Sequence, residues 1–314
     1  MGKIEALCIS VKRGTEKKPV SAAEFKADWG IVGDAHAGNW HRQVSLLSLE
    51  KIEAFRCQGS QVPYGAFGEN IVVSGFELTK LPVGTLLASG RVLLEVSQIG
   101  KECHSHCAIY KRVGDCIMPR EGIFAKVLAG GTLQVGDELV CVPRQGKRPY
   151  QAAVITLSDK GSRGERIDVS GSVLEKGLHA AGYEVVETLL LADDASQLQT
   201  QLRRLADQRQ VDLILTTGGT GFTKRDVTPE ATMAVATKNA PGISEALRAM
   251  SLQITPRAMF SRGVSVIRGR TLIVNLPGSP QACQECLDFL LPNLPHGLDL
   301  LRGEAADCAR SYTK

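Results

Sequence analysis

Short apolar runs separated by glycine-bearing polar stretches fill roughly the first 140 residues, and longer apolar runs alternating with amphipathic ones follow. In the first half, Val44-Ser45-Leu46-Leu47, Ile71-Val72-Val73, Val92-Leu93-Leu94-Glu95-Val96 and Phe124-Ala125-Lys126-Val127-Leu128 have strand length and strand composition. Glycines 65, 68, 75, 84, 90, 130, 131 and 136 punctuate them. Many short strands with glycine turns predict a β-rich barrel or sandwich. One helix interrupts it. Ser48 is placed to cap a helix reaching Cys57, and Leu49, Ile52 and Phe55 share its face.

The second half alternates. A strand over Ala153–Leu157 precedes a helix from near Asp168 to Ala181, with Val173, Leu174, Leu178 and Ala181 as its apolar stripe. A strand (Glu184–Leu190), a helix (Ala195–Gln208), an apolar strand (Val211–Thr217) and a later strand (Thr271–Val274) continue the pattern. This order implies a mostly parallel sheet covered by helices, with ligands bound beyond the carboxyl ends of its strands. Between the halves, Val142-Pro143-Arg144-Gln145-Gly146-Lys147-Arg148-Pro149 reads as a linker. The expectation is two domains, residues 1–145 and 150–314. A chain of 314 residues is long enough for two cores.

Composition narrows the class. Hydrophobic residues at 43% and charged residues at 22% exclude a disordered chain. A net charge of +4 is too mild to imply a nucleic-acid partner. No apolar run has membrane-span length, and Met1-Gly2-Lys3-Ile4-Glu5-Ala6 does not open a signal peptide. With nine cysteines, an odd number, the expectation is a cytoplasmic protein with reduced thiols and no membrane partner.

The strongest chemical signal is Thr216-Thr217-Gly218-Gly219-Thr220-Gly221-Phe222-Thr223-Lys224-Arg225-Asp226-Val227-Thr228-Pro229-Glu230, directly after an apolar strand. Gly218, Gly219 and Gly221 let backbone N–H groups approach an anion, and Thr217 and Thr220 offer hydroxyl donors. Thr228 is expected as an N-cap with Pro229 at the first helical position, and Lys224 and Arg225 as phosphate neutralisers. Asp226 beside a phosphate cradle makes sense if it holds Mg²⁺. The pattern is neither GxGxxG nor GxxxxGK[ST]. Three other strand ends converge on the same rim: Ser158-Asp159-Lys160, Asp193-Asp194, and Asn275-Leu276-Pro277-Gly278-Ser279-Pro280, where Ser279 is suited to cap a helix.

These segments, with Pro241-Gly242-Ile243-Ser244-Glu245, resemble the molybdopterin adenylyltransferase family of MogA, MoaB and the G domain of gephyrin, over about Gln151 to Leu301. The resemblance implies a three-layer α/β domain, usually trimeric, that joins AMP from Mg-ATP to the terminal phosphate of molybdopterin and releases pyrophosphate. The family's acidic pair falls on Asp226 and Asp193, holding Mg²⁺ on the triphosphate. Gly218, Gly219, Thr220 and Gly221 cradle phosphate. Ser158, Asp159, Thr217, Arg225, Asn275, Pro277, Gly278 and Ser279 complete the nucleotide and pterin site. Glu245 reads as solvent-facing.

In the first half, Gly100-Lys101-Glu102-Cys103-His104-Ser105-His106-Cys107 follows a strand. Four ligands within five residues cannot easily reach one zinc ion, so a thiolate at Cys103, favoured by Lys101, His104 and His106, competes with an inert buried thiol. This cluster resembles the MOSC domain when taken with Gly30-Ile31-Val32-Gly33-Asp34-Ala35-His36-Ala37-Gly38, Arg42-Gln43-Val44-Ser45-Leu46-Leu47 and Gly65-Ala66-Phe67-Gly68-Glu69-Asn70. The match runs over roughly Ile4 to Val142. It implies a β-rich, barrel-like domain that binds, carries or sulfurates the molybdenum cofactor. The signature thiol falls on Cys103, and His36, Arg42 and Lys101 are candidate cofactor contacts. The chain as a whole is thus expected to be a multidomain protein of molybdenum cofactor biosynthesis, serving a molybdate-insertion partner. Competing readings are a non-catalytic cofactor carrier and a MOSC-type reductase.

Overall fold

The computed structural model describes residues 1–59, 61–102, 110 and 114–303. They form two compact units, Met1–Arg148 and Pro149 onward.

The first unit contains β1 (Gly2–Ile9), β2 (Lys18–Val20), β3 (Ala22–Lys26), β4 (Gly30–Ile31), β5 (Val44–Ser48), β6 (Ile71–Ser74), β7 (Leu86–Ser89), β8 (Val92–Ile99), β9 (Ile123–Ala129), β10 (Gly131–Gln134) and β11 (Glu138–Val142). Seven strands run β11-β7-β8-β9-β5-β6-β1, and pairing of Gly2 with Leu139 closes the ring, so the unit is a barrel. β2 pairs outside the ring on β1, and β10-β3-β4 form a separate small sheet. Side chains two apart point into the barrel: Val92, Leu94 and Val96 of β8 meet Ile123, Ala125 and Val127 of β9 in one core. Each buried Val, Leu or Ile among them contributes about 1.5–3 kcal/mol. Helix α1 (Leu49–Arg56) covers the outer face through Ile52 and Phe55, and the Ser48 side chain accepts from Lys51 N. A short helix α2 (Met118–Glu121) precedes β9.

The second unit is built on β12 (Gln151–Leu157), β13 (Glu184–Leu191), β14 (Leu213–Thr217), β15 (Lys238–Asn239), β16 (Ser265–Arg268) and β17 (Thr271–Leu276), ordered β13-β12-β14-β17-β16-β15. The first four are parallel, and β16 alone runs against them, pairing antiparallel with both β17 and β15. Register aligns Leu157 with Leu191, Thr156 with Thr217, and Thr217 with Leu276. Four strands therefore end along one edge.

Among the described residues, six helices flank them: α3 (Asp159–Ser162), α4 (Val169–Ala180), α5 (Ala195–Arg203), α6 (Thr228–Met233), α7 (Pro241–Ile254) and α8 (Pro280–Leu290), with α9 (Leu294–Arg302) closing the described chain. Both sheet faces are covered. Ala152 and Val154 pack with Leu174 and Leu178 of α4 and Leu287 of α8. Ala153 and Ile155 pack with Leu198 and Leu202 of α5 and Ala231 of α6. This period-two division explains why all of β12 is buried.

Three local expectations are corrected. Ala181 lies just past the end of α4 and is exposed, so the apolar stripe stops at Leu178. The α-helix from Ala195 ends at Arg203 and passes into a π turn over Arg204–Gln208. Thr228 does not cap α6; Val227 holds that position, because the Thr228 hydroxyl donates to the Gly218 carbonyl instead.

Candidate functional site

The carboxyl edge of β12, β13, β14 and β17 carries the loops with the chemistry. After β14 the chain turns sharply at Gly218 (φ +92°) and Gly219 (φ +62°). A Cβ at Gly218 would stand 2.3 Å from the Leu157 carbonyl oxygen, and one at Gly219 would stand 2.4 Å from Thr228 Oγ1. Only glycine satisfies both the left-handed backbone and the close approach. The Pro277–Gly278 turn after β17 reaches the same place: a Cβ on Gly278 would lie 3.4 Å from Gly218 Cα. Ser170 Oγ donates to the Gly278 carbonyl at 2.8 Å. A cavity of about 180 Å³ opens between Ser158, Asp168, Ser170, Thr217, Gly218 and Gly278.

Carboxylates border this turn. Asp159 N donates to Asp193 Oδ2 and Asp193 N donates to Asp159 Oδ1, both at 3.1 Å, which ties the loops after β12 and β13 together. Asp193 Oδ1 approaches the Gly219 backbone, and Asp226 Oδ2 flanks Gly221 while accepting from Thr223 N at 2.7 Å. Asp194 points elsewhere: it caps α5 by accepting from Gln197 N at 2.9 Å. Burial pushes the Asp193 carboxyl up. The charges of Asp159 and Asp226 add to that, against the Asp159 N–H and Arg225.

No group of three or more His, Cys, Asp or Glu side chains among the described residues is arranged to hold a metal alone. Mg²⁺ asks for less, since one or two carboxylates plus substrate phosphates suffice. Asp193 and Asp226 both border the glycine turn where a triphosphate would lie, the kind of donor set such an ion asks for.

Several predicted contacts are already engaged inside the protein. The Thr217 hydroxyl donates to the Pro277 carbonyl at 2.7 Å and lies in the buried interior, so it is not a donor to an anion. Asn275 is buried. Its amide donates to Thr216 Oγ1 (2.9 Å) and Thr232 Oγ1 (3.0 Å) and accepts from Val264 N (3.2 Å), shaping the edge from within. Arg225 makes a bidentate pair with Asp159 at 2.9 and 2.6 Å, so its charge neutralises that carboxylate first. Ser158 and Ser279 act as N-caps, accepting from Gly161 N (3.0 Å) and Ala282 N (3.2 Å). Thr220 is buried and Glu245 exposed.

Sequence reasoning missed Arg262. Its backbone N donates to the Thr220 carbonyl (3.0 Å), Nε to the Gly221 carbonyl (2.6 Å) and Nη2 to the Asp226 carbonyl (2.8 Å). It thereby clamps the glycine loop from beyond α7. Nothing in the local pattern around Arg262 signals that role.

In the first unit, Asp34 and Lys17 form a buried ion pair at 2.6 Å. Asp34 also accepts from Ser10 N (3.1 Å), His36 N (2.9 Å) and Asn70 Nδ2 (3.1 Å). His36 Nδ1 is 3.3 Å from Lys17 Nζ, which connects this predicted contact to a buried pair that sequence reasoning did not find. Burial pushes Asp34 up, but hydrogen bonds from His36 and Lys17 more than offset it and hold the carboxyl well below its usual range. Glu69 is wholly buried, and burial raises it to about 7 although Gly65 N and Phe67 N donate to it. The Arg42 guanidinium packs over the Trp40 ring (4.8 Å) and the Phe124 ring (5.6 Å). Lys101 is half-buried, with its N donating to the Pro119 carbonyl at 3.2 Å. Cys103, His104, His106 and Cys107 lie outside the described residues.

The second unit is therefore an α/β domain of the class that gathers its chemistry at the carboxyl ends of parallel strands. Residues 153–296 match the family model of a probable molybdopterin binding domain, and residues 33–140 match the MOSC domain. The molybdopterin adenylyltransferase of Helicobacter pylori is 39% identical over 152 residues, covering 48% of this chain and 86% of that protein. That of Escherichia coli K12 is 37% identical over 171 residues, covering 50% and 87%. A crystal structure of the molybdopterin biosynthesis enzyme MoaB from Thermus thermophilus shares 45% identity, covers 49% of this chain and 97% of that one, and has a TM-score of 0.47. With most of those adenylyltransferases' length accounted for in its second unit, the chain belongs to the molybdopterin adenylyltransferase family and carries an N-terminal MOSC domain. Among the described residues, no helix is long and apolar enough to cross a membrane.

Proposed function

We propose that the second unit adenylylates molybdopterin. A terminal phosphate oxygen of the pterin substrate attacks the α-phosphorus of ATP. The bond from that phosphorus to the oxygen bridging to the β-phosphorus breaks, and pyrophosphate leaves. The carrying observation is the convergence of Asp193, Asp226 and the Gly218–Gly221 turn at the ends of parallel strands. Family membership supports the same reaction.

The attacking phosphate is already anionic, so the site needs positioning and charge neutralisation rather than a base. Gly218, Gly219, Thr220 and Gly221 offer backbone N–H groups to phosphate oxygens. Asp193 and Asp226 would hold Mg²⁺, which supplies charge neutralisation on the triphosphate. Asp159 positions Asp193 through their reciprocal hydrogen bonds, and Arg225 is held beside them. Ser158, Thr217 and Gly278 line the cavity, and Asn275, Pro277 and Ser279 hold the strand end and helix start beside it.

The same reading assigns residues 1–145 to cofactor binding, carriage or sulfuration, with His36, Arg42 and Lys101 toward the cofactor and Cys103 as its thiol. Residues 150–314 would carry the adenylyltransferase, assemble as a homotrimer and supply a molybdate-inserting partner. The test mixes the full chain with molybdopterin, ATP, Mg²⁺ and inorganic pyrophosphatase, with mass spectrometry of the pterin. Wild type yields adenylyl-molybdopterin, and Asp226→Asn retains only a small residual rate while keeping its circular dichroism spectrum. Tight pterin binding without product would make the chain a carrier and overturn the catalytic reading.

A further inference from the structure

Arg262 holds both ends of the loop over residues 220–226. At one end its backbone N donates to the Thr220 carbonyl (3.0 Å) and its Nε to the Gly221 carbonyl (2.6 Å). At the other end its Nη2 donates to the Asp226 carbonyl (2.8 Å). Nη1 pairs with Glu230 in the first turn of α6. The loop meets the same segment a second time: the Phe222 ring stands edge-on to the Phe260 ring, centroids 5.4 Å apart, two residues before Arg262.

This pattern fixes the direction of the peptide units. In a trans peptide the carbonyl and the following N–H point opposite ways. With the Thr220 and Gly221 carbonyls turned toward Arg262, the N–H groups of Gly221 and Phe222 are turned away from it. Gly221 has the backbone freedom to let these units rotate and present carbonyl oxygens instead, which would repel a phosphate. A planar guanidinium, with donors in a fixed fork, opposes that rotation in a way a single ammonium cannot. We propose that Arg262 is a positioning residue: it keeps the Gly221 and Phe222 N–H groups aimed at the triphosphate and holds the Asp226 backbone, without itself touching substrate. The proposal rests on the adenylyltransferase reading. Its chemistry is preorganisation, since donors already aligned need no rearrangement when charge arrives.

The probe is inorganic tripolyphosphate with Mg²⁺, titrated calorimetrically into the full chain. Arg262→Ala weakens its binding about 10- to 100-fold, the loss expected when hydrogen bonds to a charged group are misaligned. Arg262→Lys keeps the charge but not the fork, and weakens binding to a similar extent. Millimolar guanidinium restores part of the binding of Arg262→Ala. Glu230→Gln, which removes only an exposed pair, stays within about two-fold of wild type. In turnover, Arg262→Ala lowers kcat more than it raises KM for molybdopterin. Circular dichroism checks folding, and if Arg262→Ala does not fold, Arg262→Lys decides.

Equal tripolyphosphate binding by wild type and the Arg262 variants overturns the proposal, as does failure of wild type to bind it. Full binding by Arg262→Lys also overturns it, because charge rather than carbonyl alignment would then be what matters. If binding depends on Arg262 while wild type makes no adenylyl product, the positioning role stands and the catalytic reading falls. If wild type and Arg262→Ala turn over equally, the positioning role alone falls.

Discussion

The Asp34 cluster of the first unit and the carboxyl rim of the second handle charge in opposite ways, although the second unit also buries the pair of Arg302 with Asp212. In the barrel unit, Lys17 and Asp34 are almost fully removed from solvent, and Glu69 is completely buried among backbone donors. In the α/β unit, Asp159, Asp193 and Asp226 stand half-exposed at strand ends, tied to backbone N–H groups. Buried pairs hold loops in one geometry, and removing one partner is expensive. Rim carboxylates remain half-exposed to solvent, and their own pairings are worth little to stability. The Lys17–Asp34 pair, like Arg302–Asp212, therefore serves architecture, and the rim carboxylates are the ones the proposed reaction uses.

That contrast can be broken by mutation. Lys17→Met leaves the Asp34 carboxylate buried without its cation and should destabilise the first unit by about 3–5 kcal/mol in urea denaturation. Adding Asp34→Asn should recover part of the loss. A Lys17→Met chain as stable as wild type would show that the pair does not hold the barrel.

A smaller effect is expected from pH. Burial raises Glu69 in the folded state from its ordinary 4.5 to about 7, so the native chain binds a proton that the unfolded chain releases. Stability of the first unit should then fall as pH rises through that window, and Glu69→Gln should flatten the slope. Asp34 has the opposite sign. Its depressed native value gives stability that is present above the unfolded carboxyl range and lost in acid. Thermal melts from about pH 2 to 8 separate the two, since the Asp34 loss falls on the acid side of its ordinary 3.8 and the Glu69 loss between 4.5 and about 7.

The smallest effect falls on the rim. Arg225→Ala removes an exposed pair with Asp159 and should leave the melting midpoint unmoved, with KM for ATP rising only a few-fold. A large loss of stability there would erase the contrast between the units.

Much of the α/β unit was legible in its sequence because its signals are local. Asp168 and Ser279 cap their helices where the pattern put them, accepting from Gly171 N and Ala282 N, and β12, β13 and β14 follow the apolar runs. Barrel closure was not legible, since pairing Gly2 with Leu139 depends on contacts across the whole unit. The same holds for Lys17 with Asp34 and for Arg262 on the glycine loop, partners 17 and 41 residues apart with no spacing rule between them. Thr228 misled because a threonine before a proline is a good cap signal, yet its hydroxyl had a carbonyl of the neighbouring turn within reach.

The central claim is that Asp193 and Asp226 act together on one bound cation at the triphosphate. A double-mutant cycle of adenylylation rates tests it directly. If the two carboxylates share one ion, Asp193→Asn with Asp226→Asn should lose no more activity than the worse single variant. Losses that simply multiply would show two independent roles and contradict the shared site.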